Sequence, residues 1–186
     1  MIALYHKPPC PGIFDTLQTW FSWSPFYHAS WIEWGGDFSE YESKALAGGV
    51  VHPAHWGANA KPGAVIYLYD FIEPLNAAEH SALIAFLNSE LGCGYDYRGI
   101  CAFLIHALGP AKNRSFCSEL IFGACQAAGR TLLNDRQPYQ VTPGMIDTST
   151  VIDCVGQVVV GGPDIIRPIP QAAHTFPPAC DILKPA

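Results

Sequence analysis

Tyr27-His28-Ala29-Ser30-Trp31-Ile32-Glu33-Trp34-Gly35-Gly36-Asp37-Phe38-Ser39-Glu40-Tyr41-Glu42-Ser43 reads as a hairpin. Residues 27–34 and 38–43 are rich in strand-forming aromatic side chains, and Gly35-Gly36-Asp37 between them reads as a turn. A three-residue loop with a Gly-rich bulge pairs Trp34 with Phe38, Ser30 with Glu42 and His28 with Lys44. Residues 28, 30, 42 and 44 then share one face. Glu42 stands diagonally from His28, at roughly 7–8 Å between backbones, a gap two side chains bridge. A two-residue loop would slip the register by one and send Glu42 to the other face. Glu40 shares the His28 face one pair further away. Its plainer reading, like that of Glu33, is a solvated strand carboxylate.

Outward from the hairpin, residues 1–25 hold four prolines and little periodicity, and read as an irregular arm wrapping the domain. Residues 45–62, rich in Gly, Ala, His and Pro, read as a loop. Ala64-Val-Ile-Tyr-Leu-Tyr69 is the clearest strand. Asn76 followed by Glu79 is a capping-box start for a helix over 77–91, with Gly92 as its stop and Leu83, Ile84 and Leu87 on one face. A second helix is expected over 96–108, ending at Gly109-Pro110. A third is expected from Ser115 to Ala128, closed by Gly129 and burying Leu120, Ile121, Ala124 and Ala128. Val158-Val-Val160 adds a strand, and 160–186 is a Pro-rich tail. Helices and strands segregate, which predicts an α+β fold, an antiparallel sheet packed against helices, in a single domain spanning 1–186.

The composition fits that body. The chain has 186 residues, 49% apolar and only 14% charged, with mean hydropathy +0.15, enough to build a core and too apolar for a disordered chain. Net charge −6 lacks the cationic footprint that nucleic-acid binding needs, so no nucleic-acid partner is expected. No apolar run approaches the roughly 18 residues of a membrane span, and no transmembrane segment is expected. The first fifteen residues lack a basic stretch followed by an apolar one, so no secretory signal is read; cytoplasmic synthesis is expected, with non-classical delivery if the target lies outside. Cys10, Cys93, Cys101, Cys117, Cys125, Cys154 and Cys180 are an odd, scattered set without zinc-ribbon spacing, and read as reduced thiols.

Cys117 is the most informative of them. With Ser115 as N-cap it falls in the first turn of a helix, where unpaired N–H groups and the positive dipole end stabilise a thiolate and could hold an oxyanion. The plainer reading is a buried thiol at a helix start. A nucleophile needs a base among His6, His28, His52, His55, His80, His106 and His174. His28 is held on a rigid strand. His80 and His106 fall in predicted helices, and His52 with His55 lack a nearby third ligand, so no metal and no cofactor is expected. Cys117, His28 and Glu42 have the logic of nucleophile, base and orienting group, although seven Cys and seven His offer many such triples.

Tyr27-His28-Ala29-Ser30, Tyr41-Glu42-Ser43, Gly94-Tyr95-Asp96-Tyr97, Phe116-Cys117-Ser118-Glu119-Leu120 and Val141-Thr142-Pro143-Gly144 together resemble the circularly permuted NlpC/P60 enzymes. These are papain-like cysteine hydrolases of the YiiX type, distant relatives of the lecithin:retinol acyltransferases. The resemblance covers roughly residues 25–145. It implies a papain-like core whose His strand precedes its Cys helix, with Cys117 as nucleophile, His28 as general base and acid, and Glu42 orienting His28. Unpermuted relatives use His, Asn or Gln in that third place, so Glu42 is a departure. Glu119 matches the family's Cys-Ser-Glu segment in a supporting role. Tyr95 and Asp96 match a segment near the cleft, Tyr95 as a substrate contact or as packing.

The resemblance implies a thiol peptidase or amidase of bacterial or phage origin acting by acyl transfer, most directly on a peptidoglycan stem-peptide amide. A lipid-directed thiol acyltransferase or esterase, and a catalytically silent binding module, share the fold and stay open. No Gly-x-Ser-x-Gly elbow supports a serine hydrolase. No Walker A or complete dinucleotide fingerprint supports nucleotide binding.

Overall fold

The computed structural model describes residues 1–8, 11, 16, 19, 24–33, 39–44, 48–52, 60, 63–96, 114–160 and 167–168. Among them, strands β1 (Ile2–His6), β2 (Phe26–Ile32), β3 (Glu40–Lys44), β4 (Gly49–Val51), β5 (Val65–Phe71), β6 (Gly94–Tyr95), β7 (Arg114–Ser115), β8 (Ile152–Val159) and β9 (Arg167–Pro168) form one sheet. Its order is β7-β6-β4-β3-β2-β1-β5-β8-β9. Helices α1 (Ala77–Ser89), α2 (Cys117–Ala127) and the short α3 (Pro143–Asp147) complete an α+β architecture, with a 3-10 turn at Pro138–Gln140. All pairings are antiparallel except β6 with β7, which is parallel.

The hairpin register is the one that a three-residue loop demands: Ser30 faces Glu42, Trp31 faces Tyr41 and Ile32 faces Glu40. The turn at 35–37 and the Trp34–Phe38 pair lie outside the described residues, as do residues 97–108 of the helix expected over 96–108 and most of the tail. Strand β5 runs two residues beyond the expected Tyr69, and β8 begins at Ile152 rather than Val158. The largest correction concerns the N-terminal arm. Residues 2–6 are a strand between β2 and β5, with Tyr5 paired to His28 on one side and Ile66 on the other. Ile2, Ala3, Leu4 and Tyr5 are all buried, so both faces are covered and no apolar/polar alternation marks the strand.

Helix α1 starts on its capping box: Asn76 accepts from Ala78 N–H and Glu79 N–H, and Glu79 accepts from Asn76 N–H at 2.9 Å. Such a cap contributes about 1 kcal/mol. Burying Leu83 and Leu87 contributes about 1.5–3 kcal/mol each, so packing outweighs the cap. Helix α2 closes as expected. Gly129, at φ 75°, takes the left-handed conformation, and Arg130 N–H returns to the Cys125 carbonyl at 2.8 Å. Arg130 then bonds Glu79 at 2.9 Å and fastens the end of α2 to the start of α1.

These helices pack on one face of the sheet, where Leu4, Ala29, Trp31 and Tyr41 meet Leu83, Leu87, Leu120, Ile121 and Phe122. The other face gathers Ala3, Tyr5, Ile32, Ile66, Leu68 and Val158. His28, Ser30, Glu40 and Glu42 share this second face by register. No helix among the described residues is long and apolar enough to cross a membrane.

Candidate active site

Strand β7 delivers the chain into α2, and Ser43 of β3 donates its hydroxyl to the Ser115 carbonyl just before the turn. Phe116, not Ser115, is the N-cap, so Cys117 is the first helical residue. Phenylalanine brings no capping oxygen. Instead Glu119 reaches back and accepts from Phe116 N–H at 3.4 Å. Ser118 donates its hydroxyl to the Val141 carbonyl at 2.6 Å. The next residue, Thr142, caps α3 by accepting from Met145 N–H. A Cβ on Gly144 would stand 2.1 Å from Ser24 Oγ, so only glycine lets α3 approach the segment that enters β2. The first turn of α2 and the start of β2 are thereby tied through one short connection.

At that start of β2 stands His28, 12% exposed at its side chain. Its Nε2 meets Glu42 Oε2 at 2.9 Å, and Glu42 is 2% exposed. Cys117, itself buried, stands close enough at the start of α2 to act on the His28 side chain. Burial alone would depress the imidazolium. The bonds to Cys117 and Glu42, and then their charges, outweigh it and push the His28 pKa up to about 10. The structure thus brings together the nucleophile candidate, the base candidate and the orienting carboxylate expected from sequence.

Sequence reasoning missed what lies beside them. Tyr5 sits opposite His28 on β1, its ring centroid 5.0 Å from the imidazole at 60°. Tyr27 stacks near the ring at 6.2 Å. The Tyr5 hydroxyl donates to Glu40 Oε1. Glu40 is 1% exposed, which corrects the solvated-carboxylate reading. No sequence signal could place Tyr5 here once residues 1–25 were read as an arm.

Other candidates fall elsewhere. Tyr95 is buried in β6, and its N–H donates to the Gly48 carbonyl. Asp96 is buried beside it. Burial pushes the Glu119 carboxyl up to about 7; the Asp96 and Glu90 charges add to that, while the bond from Phe116 N–H opposes it. His80 is exposed and meets Glu33 at 3.2 Å, and His52 stacks on Tyr41 at 4.0 Å. His55, His106, His174, Tyr97, Cys10, Cys101 and Cys180 lie outside the described residues. Cys93, Cys125 and Cys154 are free thiols.

No protein-family model and no curated protein matches the chain. Among solved structures, the fold is similar to that of YiiX from Escherichia coli O157:H7, described as a metalloprotein and as DUF1105. The TM-score is 0.58 at 13% identity, over 87% of this chain and 97% of that one. At that identity the likeness is one of fold. Among the described residues no three His, Cys, Asp or Glu side chains gather as a metal-binding set.

Proposed function

We propose that this chain is a cysteine hydrolase of the permuted NlpC/P60 type, cleaving an amide by acyl-enzyme chemistry with Cys117, His28 and Glu42. The observation that carries the reading is the His28 imidazole, held at Nε2 by buried Glu42 at 2.9 Å with the buried Cys117 acting on it from the start of α2. An imidazolium that persists at neutral pH is the counter-ion a catalytic thiolate needs. With Nε2 committed to Glu42, Nδ1 is the nitrogen left for Cys117.

In this mechanism the Cys117 thiolate attacks the carbonyl carbon, forming a C–S bond and an oxyanion. N–H groups of the first turn of α2 stabilise that oxyanion. The intermediate collapses, the C–N bond breaks, and His28 gives its proton to the departing amine. Neutral His28 then takes a proton from water, whose oxygen attacks the thioester. The acid leaves and the thiolate–imidazolium pair is restored. Glu42 holds the imidazole and its charge throughout. A Glu119 carboxyl with its pKa near 7 is partly neutral at physiological pH, which limits its opposition to the thiolate two residues away.

Peptide amides, with peptidoglycan stem peptides first, are the substrate class that the family resemblance implies. The test is the pH dependence of Cys117 alkylation by iodoacetamide, mapped by peptide, followed by a panel of cell-wall peptides and lipid esters. Wild-type Cys117 should react well below about pH 8, where ordinary thiols are protonated. His28→Ala should slow that reaction about 100-fold. An equal rate in the two proteins would overturn the reading; ester cleavage without amide cleavage would move the substrate class to lipids.

A further inference from the structure

The His28–Glu42 pair shares its face of the sheet with a second buried carboxylate. Glu40 lies two residues before Glu42 on β3 and faces Ile32, two residues beyond Ser30. Tyr5 spans the distance. Its ring lies edge-on to the imidazole at 5.0 Å, and its hydroxyl receives the Ser30 hydroxyl at 3.4 Å and donates to Glu40. One side chain therefore touches the ring at one end and is tied down at the other. The hydroxyl stays protonated: burial first, then the charge and bond of Glu40, hold its pKa well above the usual phenol range. A phenol that keeps its proton keeps donating, so the tie persists over the working pH.

We propose that Tyr5 is a positioning residue for His28: the ring, anchored through Glu40, sets the plane in which the imidazole meets Glu42 and Cys117. This rests on the acyl-enzyme reading. An imidazole bonded at Nε2 still swings about that bond, and an edge-on aromatic ring blocks the swing on one side. Strand pairing fixes Tyr5 and His28 directly opposite each other, so the contact belongs to the sheet rather than to a loop. The ionisable or polar groups acting on or beside the ring are Tyr5 from β1, Tyr27 from β2, Glu42 from β3 and Cys117 from α2, with Glu40 reaching it only through Tyr5.

The test reads two quantities in each variant: the His28 titration midpoint by NMR of the labelled imidazole, and the Cys117 alkylation rate with iodoacetamide. Tyr5→Phe keeps the ring and cuts the tie; the rate at neutral pH should fall about fivefold, the loss of one hydrogen bond's ordering. Tyr5→Leu removes the ring; the rate should fall about tenfold or more, and the midpoint should move down toward the ordinary value near 6.5. Glu40→Gln, which still accepts the hydroxyl, should lose less than Glu40→Leu, which does not. A folded Tyr5→Phe protein with wild-type midpoint and rate overturns the anchoring, whether or not Tyr5→Leu folds, and even if melting temperature drops. His28→Ala, run alongside, separates the two ideas. If it leaves alkylation unchanged, the acyl-enzyme reading fails, while the imidazole titration still judges Tyr5.

Discussion

Helix α2 carries two cysteines, Cys117 at its first position and Cys125 about two turns on. Both are buried, both are free thiols, and both sit on the same rigid element. Their surroundings divide them. Cys125 is packed in the apolar core among the helices, and burial pushes its thiol up to about 12, with the Met1 amino group pulling the other way. Cys117 acts on a histidine whose Nε2 is held by buried Glu42 at 2.9 Å. Burial without a counter-ion makes an inert thiol; the proposed function needs the same helix to meet an imidazolium at its N-terminus. The difference comes from β2 and β3, since the cysteine type and the helix are common to both sites.

Exchanging the two thiols gives the sharpest break. Cys117→Ala should abolish native-state alkylation at neutral pH at this helix, and with it any amide hydrolysis. Cys125→Ala should leave both intact and cost about 1 kcal/mol in a denaturant titration, as for other small cavities in a core. Rapid labelling of Cys125 in the folded protein would erase the contrast. A smaller effect is expected at Glu42. Glu42→Gln keeps an acceptor near Nε2 and removes the charge, so alkylation at neutral pH should slow about tenfold, as expected for a charged hydrogen bond replaced by a neutral one. The His28 midpoint should fall with it.

The smallest effect concerns pH and Glu119. Its folded pKa, about 7, lies above the unfolded carboxyl value of 4.5. Stability from the protonated form is therefore complete below pH 4.5 and lost as pH rises through 7. Glu119→Gln should flatten that decline, measured as unfolding midpoint against pH, while leaving Cys125 untouched. His28 acts further up the scale. Raised from 6.5 to about 10, it contributes stability that is present below pH 6.5 and lost as pH climbs toward 10.

The parts of this site set by local chemistry were legible in the sequence. A two-residue period fixes which side chains share a strand face, and the register expected from sequence, Ser30 opposite Glu42, is the one observed. Asn76 with Glu79, and Gly129 after α2, announced helix ends by their own hydrogen bonding. What depended on distant partners was not legible. The prolines at 8, 9, 11 and 25 drew residues 1–25 toward an irregular reading, and Ile2-Ala3-Leu4-Tyr5, covered on both faces, gave no alternation to oppose it. Without β1 in the sheet, neither Tyr5 beside His28 nor a donor for Glu40 could be foreseen. The N-cap shifted from Ser115 to Phe116 because Ser115 is held in β7 by pairing with Tyr95, a long-range demand that local capping preference cannot register. In β8, exposed Val155 and Val159, together with a bulge opposite Leu68 and Tyr69 that puts Cys154 and Val158 on different faces, left no simple alternation to read.

The position of β1 bears on how the molecule comes apart. To one side of it lie β2, β3, β4, β6 and β7; to the other lie β5, β8 and β9. The five residues Ile2–His6 are the seam between these halves, and no other described strand spans it. Amide hydrogens along the seam should exchange with solvent only through opening of the whole sheet, more slowly than those of β6 or β9 at the margins. Such a seam also requires chain segments far apart in sequence to meet before it closes, which favours slow assembly. The strand that looked most like a loose end is thus the one whose release would divide the sheet in two.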